Sequence, residues 1–106
     1  MDKIDIKPLS VNQAWQGRRF KTKKYINYQN NVLMMLPKVA IPEPPLIVNL
    51  ELGFSNKASD IDNPVKMILD ILQKKYKFND SEIYELNIKK VIVKKSKEYF
   101  KFNIKN

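Results

Sequence analysis

The chain contains neither cysteine nor histidine. Those two absences remove disulfides, thiolate nucleophiles, imidazole bases and soft-ligand zinc sites together. Any catalysis must then use carboxylates, lysines, hydroxyls, or a hard cation held by oxygen ligands. No apolar run approaches the roughly 20 residues of a membrane-spanning helix, and the opening MDKIDIKPLS has no apolar signal-peptide core. A cytoplasmic protein without membrane contact is the expectation. Internal repeats and low-complexity segments are missing as well.

What is present is mostly basic and apolar. At 106 residues the chain fits one domain, 1–106, with a single core. A hydrophobic fraction of 43% beside 29% charged residues is that of a folded protein and not of a disordered tail. The net charge of +9 points to a polyanionic partner, nucleic acid being the commonest. Abundant Lys, Asn and Ile also follow from AT-rich coding, so solvated surface lysine competes with that reading.

Periodicity supplies the elements. Lys3 to Lys7 alternate, with Ile4 and Ile6 on one face, and read as a short strand stopped by Pro8. The stretch LSVNQAWQGRRFKTKK that follows has no apolar period and five basic residues around Trp15 and Phe20, so it reads as a long, functional loop. Tyr25 to Leu36 read as a helix with Tyr25, Tyr28, Val32 and Met35 or Leu36 on one stripe, closed by Pro37. Leu46 to Phe54 alternate as a strand with Leu46, Val48, Leu50 and Leu52 inward. Asn63-Pro64 opens the clearest helix, with Asn63 or the preceding aspartate as its cap and Val65, Ile68, Leu69, Leu72 and Tyr76 as its apolar stripe. Ile83 to Lys95 and Tyr99 to Lys105 read as a terminal hairpin, with Phe100, Phe102 and Ile104 on one face and a bulge near Lys89-Lys90. The order β-α-β-α-β-β predicts an α+β fold: a small mixed sheet of about four strands with two helices packed on it.

Chemistry concentrates in SDIDNPVK, residues 59–66. Asp60 and Asp62 are separated by one residue in an extended approach to the helix, and a period of two points both carboxylates the same way. Like charges that close repel unless solvent, lysine or a cation neutralises them. Asp80 and Glu82 repeat the theme beyond the helix. If Asp60 and Asp80 lie at adjacent strand ends, three carboxylates converge, a donor set suited to Mg²⁺ or Mn²⁺ and to metal-assisted phosphodiester hydrolysis. The bland reading makes Asp62 or Asn63 a helix cap, Asp60 a solvated loop residue, and Asp80 with Ser81 a turn initiator.

The run Asp60-x-Asp62-Asn63-x-x-Lys66, an apolar helix containing Asp70, a short loop with Asp80 and a Val/Ile-rich strand together resemble the RusA family of Holliday junction resolvases. KPLSVNQ is similar to that family's Pro-x-Ser-x-Asn opening. The resemblance implies a homodimeric endonuclease of phages and prophages, working in the bacterial host cell, that cuts four-way junction DNA with Mg²⁺, Mn²⁺ substituting, and with no small-molecule cofactor. It places the catalytic aspartates at Asp60, Asp62 and Asp80 and the catalytic lysine at Lys66. Lys66 stands one helical turn past Asp62, where an ammonium stabilises charge developing on a phosphate; its bland role is an i,i+4 pair with Asp70.

The family often carries arginines directly before the first aspartate, whereas SNKAS supplies only Lys57. DNA contact is therefore expected from Arg18, Arg19, Lys21, Lys23, Lys24, Lys57 and Asn12, with Trp15 and Phe20 either stacked on opened bases or buried. A junction with approximate twofold symmetry suits a C2 dimer, for which an exposed strand edge or the amphipathic first helix offers a surface. Two other classes compete: a non-catalytic basic nucleic-acid-binding phage protein, and an interaction protein using the Met34-Met35 helix.

Overall fold

Every second residue from Leu46 to Phe54 is buried, which a strand achieves only beneath a covering layer. The structure, a computed structural model that describes residues 1–10, 15–16 and 20–106, places this strand inside its sheet. The elements in chain order are β1 (Asp2–Ile4), β2 (Trp15–Gln16), β3 (Phe20–Lys21), α1 (Lys23–Met35), β4 (Leu46–Phe54), α2 (Val65–Tyr76), a 3₁₀ turn (Asp80–Glu82), β5 (Ile83–Ile92) and β6 (Tyr99–Lys105). Four strands form a mixed sheet in the order β1-β6-β4-β5, and β2 pairs with β3 in a separate two-stranded ribbon inside the expected loop. The α+β class with two helices and four main strands is the one anticipated.

The terminal hairpin is not formed. β5 runs parallel to β4, and β6 runs antiparallel to β4 on its other side, so one strand separates the two. The local turn that suggested a hairpin exists: Lys97 N donates to Lys94 O at 3.0 Å, and Ser96 takes a left-handed φ of 72°. The placement of β6 follows from burial. Phe100, Phe102 and Ile104 are buried and need a position inside the sheet, while β5, with only Ile83, Ile88, Lys90 and Val91 half-buried, suits an edge. Lys89 and Lys90 pair regularly with Glu51 and Leu52; the register shift lies at Leu46/Ile47.

One face of the sheet carries the core. Leu46, Val48, Leu50, Leu52 and Phe54 meet Val65, Met67, Ile68, Ile71 and Leu72 of α2 and Tyr25, Tyr28, Val32 and Leu36 of α1. α1 begins at Lys23, two residues before the sequence reading, because the Thr22 hydroxyl caps it by accepting from Tyr25 N at 3.1 Å. On the open face Tyr99 lies over Gly53, where a Cβ would sit 2.5 Å from the ring. Only a residue without a side chain admits the ring there. Tyr99 in turn donates to Glu51 at 2.6 Å.

Candidate active site

The turn that delivers Asp60 and Asp62 is held by its own backbone. Asn63 N donates to Asp60 O at 3.3 Å and Val65 N to Asp62 O at 3.1 Å. Pro64 is the N-cap of α2, in helical conformation, and no side chain caps this helix. The expectation that Asn63 or Asp62 caps it is therefore corrected: the Asp62 carbonyl meets the Val65 amide and Pro64 has no N–H to satisfy. The Asp62 carboxylate is left over.

Asp80 tells the same story. Asn79, not Asp80, initiates the 3₁₀ turn, its side chain accepting from Ser81 N at 3.0 Å while Glu82 accepts from Asn79 N at 2.8 Å. Gln73 of α2 then ties the turn to the helix, accepting from Asp80 N at 2.8 Å. Among the described residues the side chains of Asp60, Asp62 and Asp80 take part in no hydrogen bond and no ion pair within the chain. Lys66 is exposed, and the i,i+4 pair with Asp70 is not formed.

These residues share a groove. Asp62, Lys66, Asp70, Gln73 and Asp80 line it with Val65, Leu69, Leu86 and Ile88 as its apolar floor, over about 360 Å³. Asp60 lines the neighbouring hollow instead, with Ser59, Asn63, Pro64, Phe54, Lys7, Pro8 and Ser10. The arrangement is thus two candidate carboxylates together and the third across the Ile61–Pro64 turn. Among the described residues no three acidic side chains stand close enough to hold one ion. The donor chemistry nonetheless fits a hard cation, since Mg²⁺ commonly takes one or two carboxylates and completes its shell with water and substrate phosphate.

A second lysine organises the segment before Asp60. Lys90 of β5 donates to the Lys57 carbonyl at 2.8 Å and to the Ser59 carbonyl, while Asn56 accepts from Ala58 N at 2.8 Å. Lys57 itself is exposed. Of the other expected DNA contacts, Lys21, Lys23 and Lys24 are exposed at the start of α1. Lys21 reaches Gln29 Oε1 at 3.4 Å and stands 5.1 Å from the Tyr25 ring centre. Lys24 lines a cleft with Lys7, Asn27, Tyr28 and Asn31. The first turn of α1 holds two lysines and no acidic residue, which opposes the helix dipole unless an anion sits there. Arg18, Arg19 and Asn12 lie outside the described residues, as do the side chains of Trp15 and Phe20.

Sequence reading missed the positioning roles of Gln73 and Lys90. Gln73 follows Asp62, Lys66 and Asp70 at helical spacing, so the polar stripe of α2 carried that signal. Lys90 left none, because its partners are backbone carbonyls of a loop distant in the chain.

Residues 7–99 match the family described as endodeoxyribonuclease RusA. No curated protein matches the chain.

Proposed function

The chain belongs to the RusA family of Holliday junction endodeoxyribonucleases, and from that premise we propose that it hydrolyses junction DNA with a divalent cation held at the Asp62–Asp80 groove. The observation that carries this reading is the idleness of the aspartates. In both turns an asparagine or the backbone does the structural work that the bland reading gave to Asp62 and Asp80, and both aspartates line one groove beside Lys66, which forms no ion pair among the described residues. Three charged groups without structural duty fit a ligand site.

Asp62 and Asp80 are the groups assigned to cation binding, with Asp60 beside them across the turn. A bound Mg²⁺ or Mn²⁺ supplies an activated water and screens charge on the phosphate. Lys66 presents its ammonium to the same phosphate and stabilises the charge that develops there. Gln73 holds the turn that bears Asp80, and Lys90 holds the loop that leads to Asp60. Lys21, Lys23, Lys24 and Lys57, with Arg18, Arg19 and Asn12, contact the DNA backbone. Cleavage leaves a 5′-phosphate and a 3′-hydroxyl. A homodimer sets two such grooves against the twofold axis of the junction and yields paired, symmetric nicks.

A labelled mobile four-way junction, with linear duplex as control, tests this. Mg²⁺ should support symmetric nicking of the junction and chelation should stop it. Asp62→Asn and Asp80→Asn should each lower cutting by about 10² or more while junction affinity holds or rises, because repulsion between carboxylate and phosphate is relieved. Undiminished cutting by both variants, or no cutting with any metal, sinks the reading; the latter would leave a non-catalytic DNA binder.

A further inference from the structure

One stripe of α1 is polar where it meets the rest of the chain. Lys24, Asn27, Tyr28 and Asn31 fall at positions i, i+3, i+4 and i+7 of the helix, and they line a cleft of about 280 Å³ against the segment from Ile6 to Leu9. The side chains of Lys7, Lys24, Asn27 and Asn31 take part in no hydrogen bond or ion pair among the described residues, and no carboxylate lines the cleft. Tyr28 adds an independent sign. It is 7% exposed, its oxygen lies beside the Leu9 backbone amide, and its O–H finds no acceptor. Buried hydroxyls are nearly always bonded. Leu9 lines the same cleft, so the idle O–H stands at the cleft wall. We propose that this cleft holds one unpaired nucleotide of the junction strand, its base edge on Asn27, Asn31 and the Tyr28 hydroxyl and its phosphate on Lys7 and Lys24.

The donor set selects the ligand. An asparagine amide gives and takes hydrogen bonds in one plane, which matches the adjacent donor and acceptor on the edge of a base. Two such amides stand one helical turn apart here. The buried Pro8 and Leu9, with the half-buried Ile6, supply apolar surface for the face of a base taken out of its stack. Two ammoniums with no competing carboxylate suit the phosphate that travels with it. Inorganic phosphate alone would use the lysines and leave both amides and the phenol idle. The volume lies near the lower end of the range of about 300–1,000 Å³ for ligand pockets, enough for one nucleotide and too little for a duplex.

The cleft also lies where a strand held at the aspartates would pass. Lys7 and Pro8 line both it and the hollow that contains Asp60, so the two depressions are neighbours across that dipeptide. A strand with its phosphate at the aspartates thus brings an adjacent nucleotide to the cleft. Taking a base out of its stack costs least where pairing is already interrupted, as at a crossover.

The inference rests on the proposed nuclease reading for its choice of ligand, but its test does not use cleavage. Affinity of the full chain is measured, with metal chelated, for a four-way junction of fixed crossover and for the same junction made abasic at the crossover nucleotides. The second keeps every phosphate and lacks only those bases. The wild type should bind the intact junction about tenfold or more tighter than the abasic one. Asn27→Ala/Asn31→Ala, at two exposed helix positions, should bring that ratio near one and leave affinity for the abasic junction unchanged. Tyr28→Phe keeps the ring and should lower the ratio several-fold while Tm holds or rises, because the hydroxyl it removes has no partner to lose.

Equal wild-type affinity for the two junctions overturns the inference. So does a ratio that the double asparagine variant leaves unchanged, or a loss of the same size on both junctions, which would put the amides on the DNA backbone. Junction cutting scored alongside separates the two claims: metal-dependent cutting with equal affinities removes only this cleft, and the expected ratios without cutting under any metal remove only the nuclease.

Discussion

Gly53→Ala is a one-carbon change with a calculable cost. The added Cβ would stand 2.5 Å and 2.6 Å from two carbons of the Tyr99 ring, where ordinary contact is about 3.5–4.0 Å. The ring must therefore move by about 1 Å, but it is anchored by the 2.6 Å hydrogen bond to Glu51, a side chain only 19% exposed. Breaking a hydrogen bond to a charged group costs about 1.5–3 kcal/mol, and keeping it by overpacking costs about 1–3 kcal/mol. One of the two applies, since moving the ring relieves the clash. Alanine is preferred to glycine in a strand interior by about 0.5–1 kcal/mol. The net is a loss of about 1.5 kcal/mol, which for a domain of this size lowers Tm by about 6 °C. Thermal melts of the wild type, Gly53→Ala, Tyr99→Ser and the double variant form the assay. In the Tyr99→Ser background the clash is gone, and Gly53→Ala should cost nothing or stabilise slightly. A Tm for Gly53→Ala at or above the wild-type value would refute the reasoning, as would an equal loss in both backgrounds.

The remaining predictions are shorter. Burial, and then Asp70, holds the Tyr25 phenol up to about 12; burial and Asp2 do the same for Tyr76, burial and the Glu51 hydrogen bond for Tyr99, and Tyr28 is raised further still, mainly by burial. Because each folded value lies above the ordinary 10.0, stability is full below about pH 10 and drains as pH climbs toward 12, by up to about 1.4 kcal/mol per unit for each fully buried phenol. Tyrosinate absorbance at these positions should arrive together with loss of circular dichroism; ionisation in an intact fold is the contrary result. Gln73→Leu removes the acceptor for Asp80 N and should lower junction cutting several-fold while costing only about 1 kcal/mol in urea unfolding. Unchanged cutting would show that the Asp80 turn needs no such tether. Lys90→Met should raise the proteolytic sensitivity of residues 56–60 and reduce cutting, and equal protease resistance would argue against the tether.

Most of the core was legible because it is periodic. The alternation of β4 and the stripe of α2 named Leu46, Val48, Leu50, Leu52, Val65, Ile68, Leu69, Leu72 and Tyr76 as inward residues; all are buried except Leu69 and Tyr76, which are half-buried against the core. The sheet order was less legible. A local turn at Lys94–Lys97 reads identically whether the strands it joins are neighbours or flank a third, and only the competition of Phe100 and Phe102 for the interior settles which. Capping was misread at α2 because Asn63-Pro64 satisfies a statistical preference that the backbone of the preceding turn had already met. At the site, spacing grouped Asp60 with Asp62 through a period of two, whereas the turn between them sends the two carboxylates to different hollows. Asp80 could be joined to Asp62 only by topology, through the parallel pairing of β5 with β4.

The insertion of β6 between β1 and β4 bears on how the chain acquires its shape. The strand that fills the interior beneath both helices is the last element in chain order, and its partners begin about a hundred and about fifty residues earlier. During synthesis the β4-α2-β5 unit can assemble as it emerges, but its apolar side stays open until Phe100, Phe102 and Ile104 arrive. Cooperative burial thus waits for β6, and a nascent chain stalled before Tyr99 should remain sensitive to protease and dependent on chaperones.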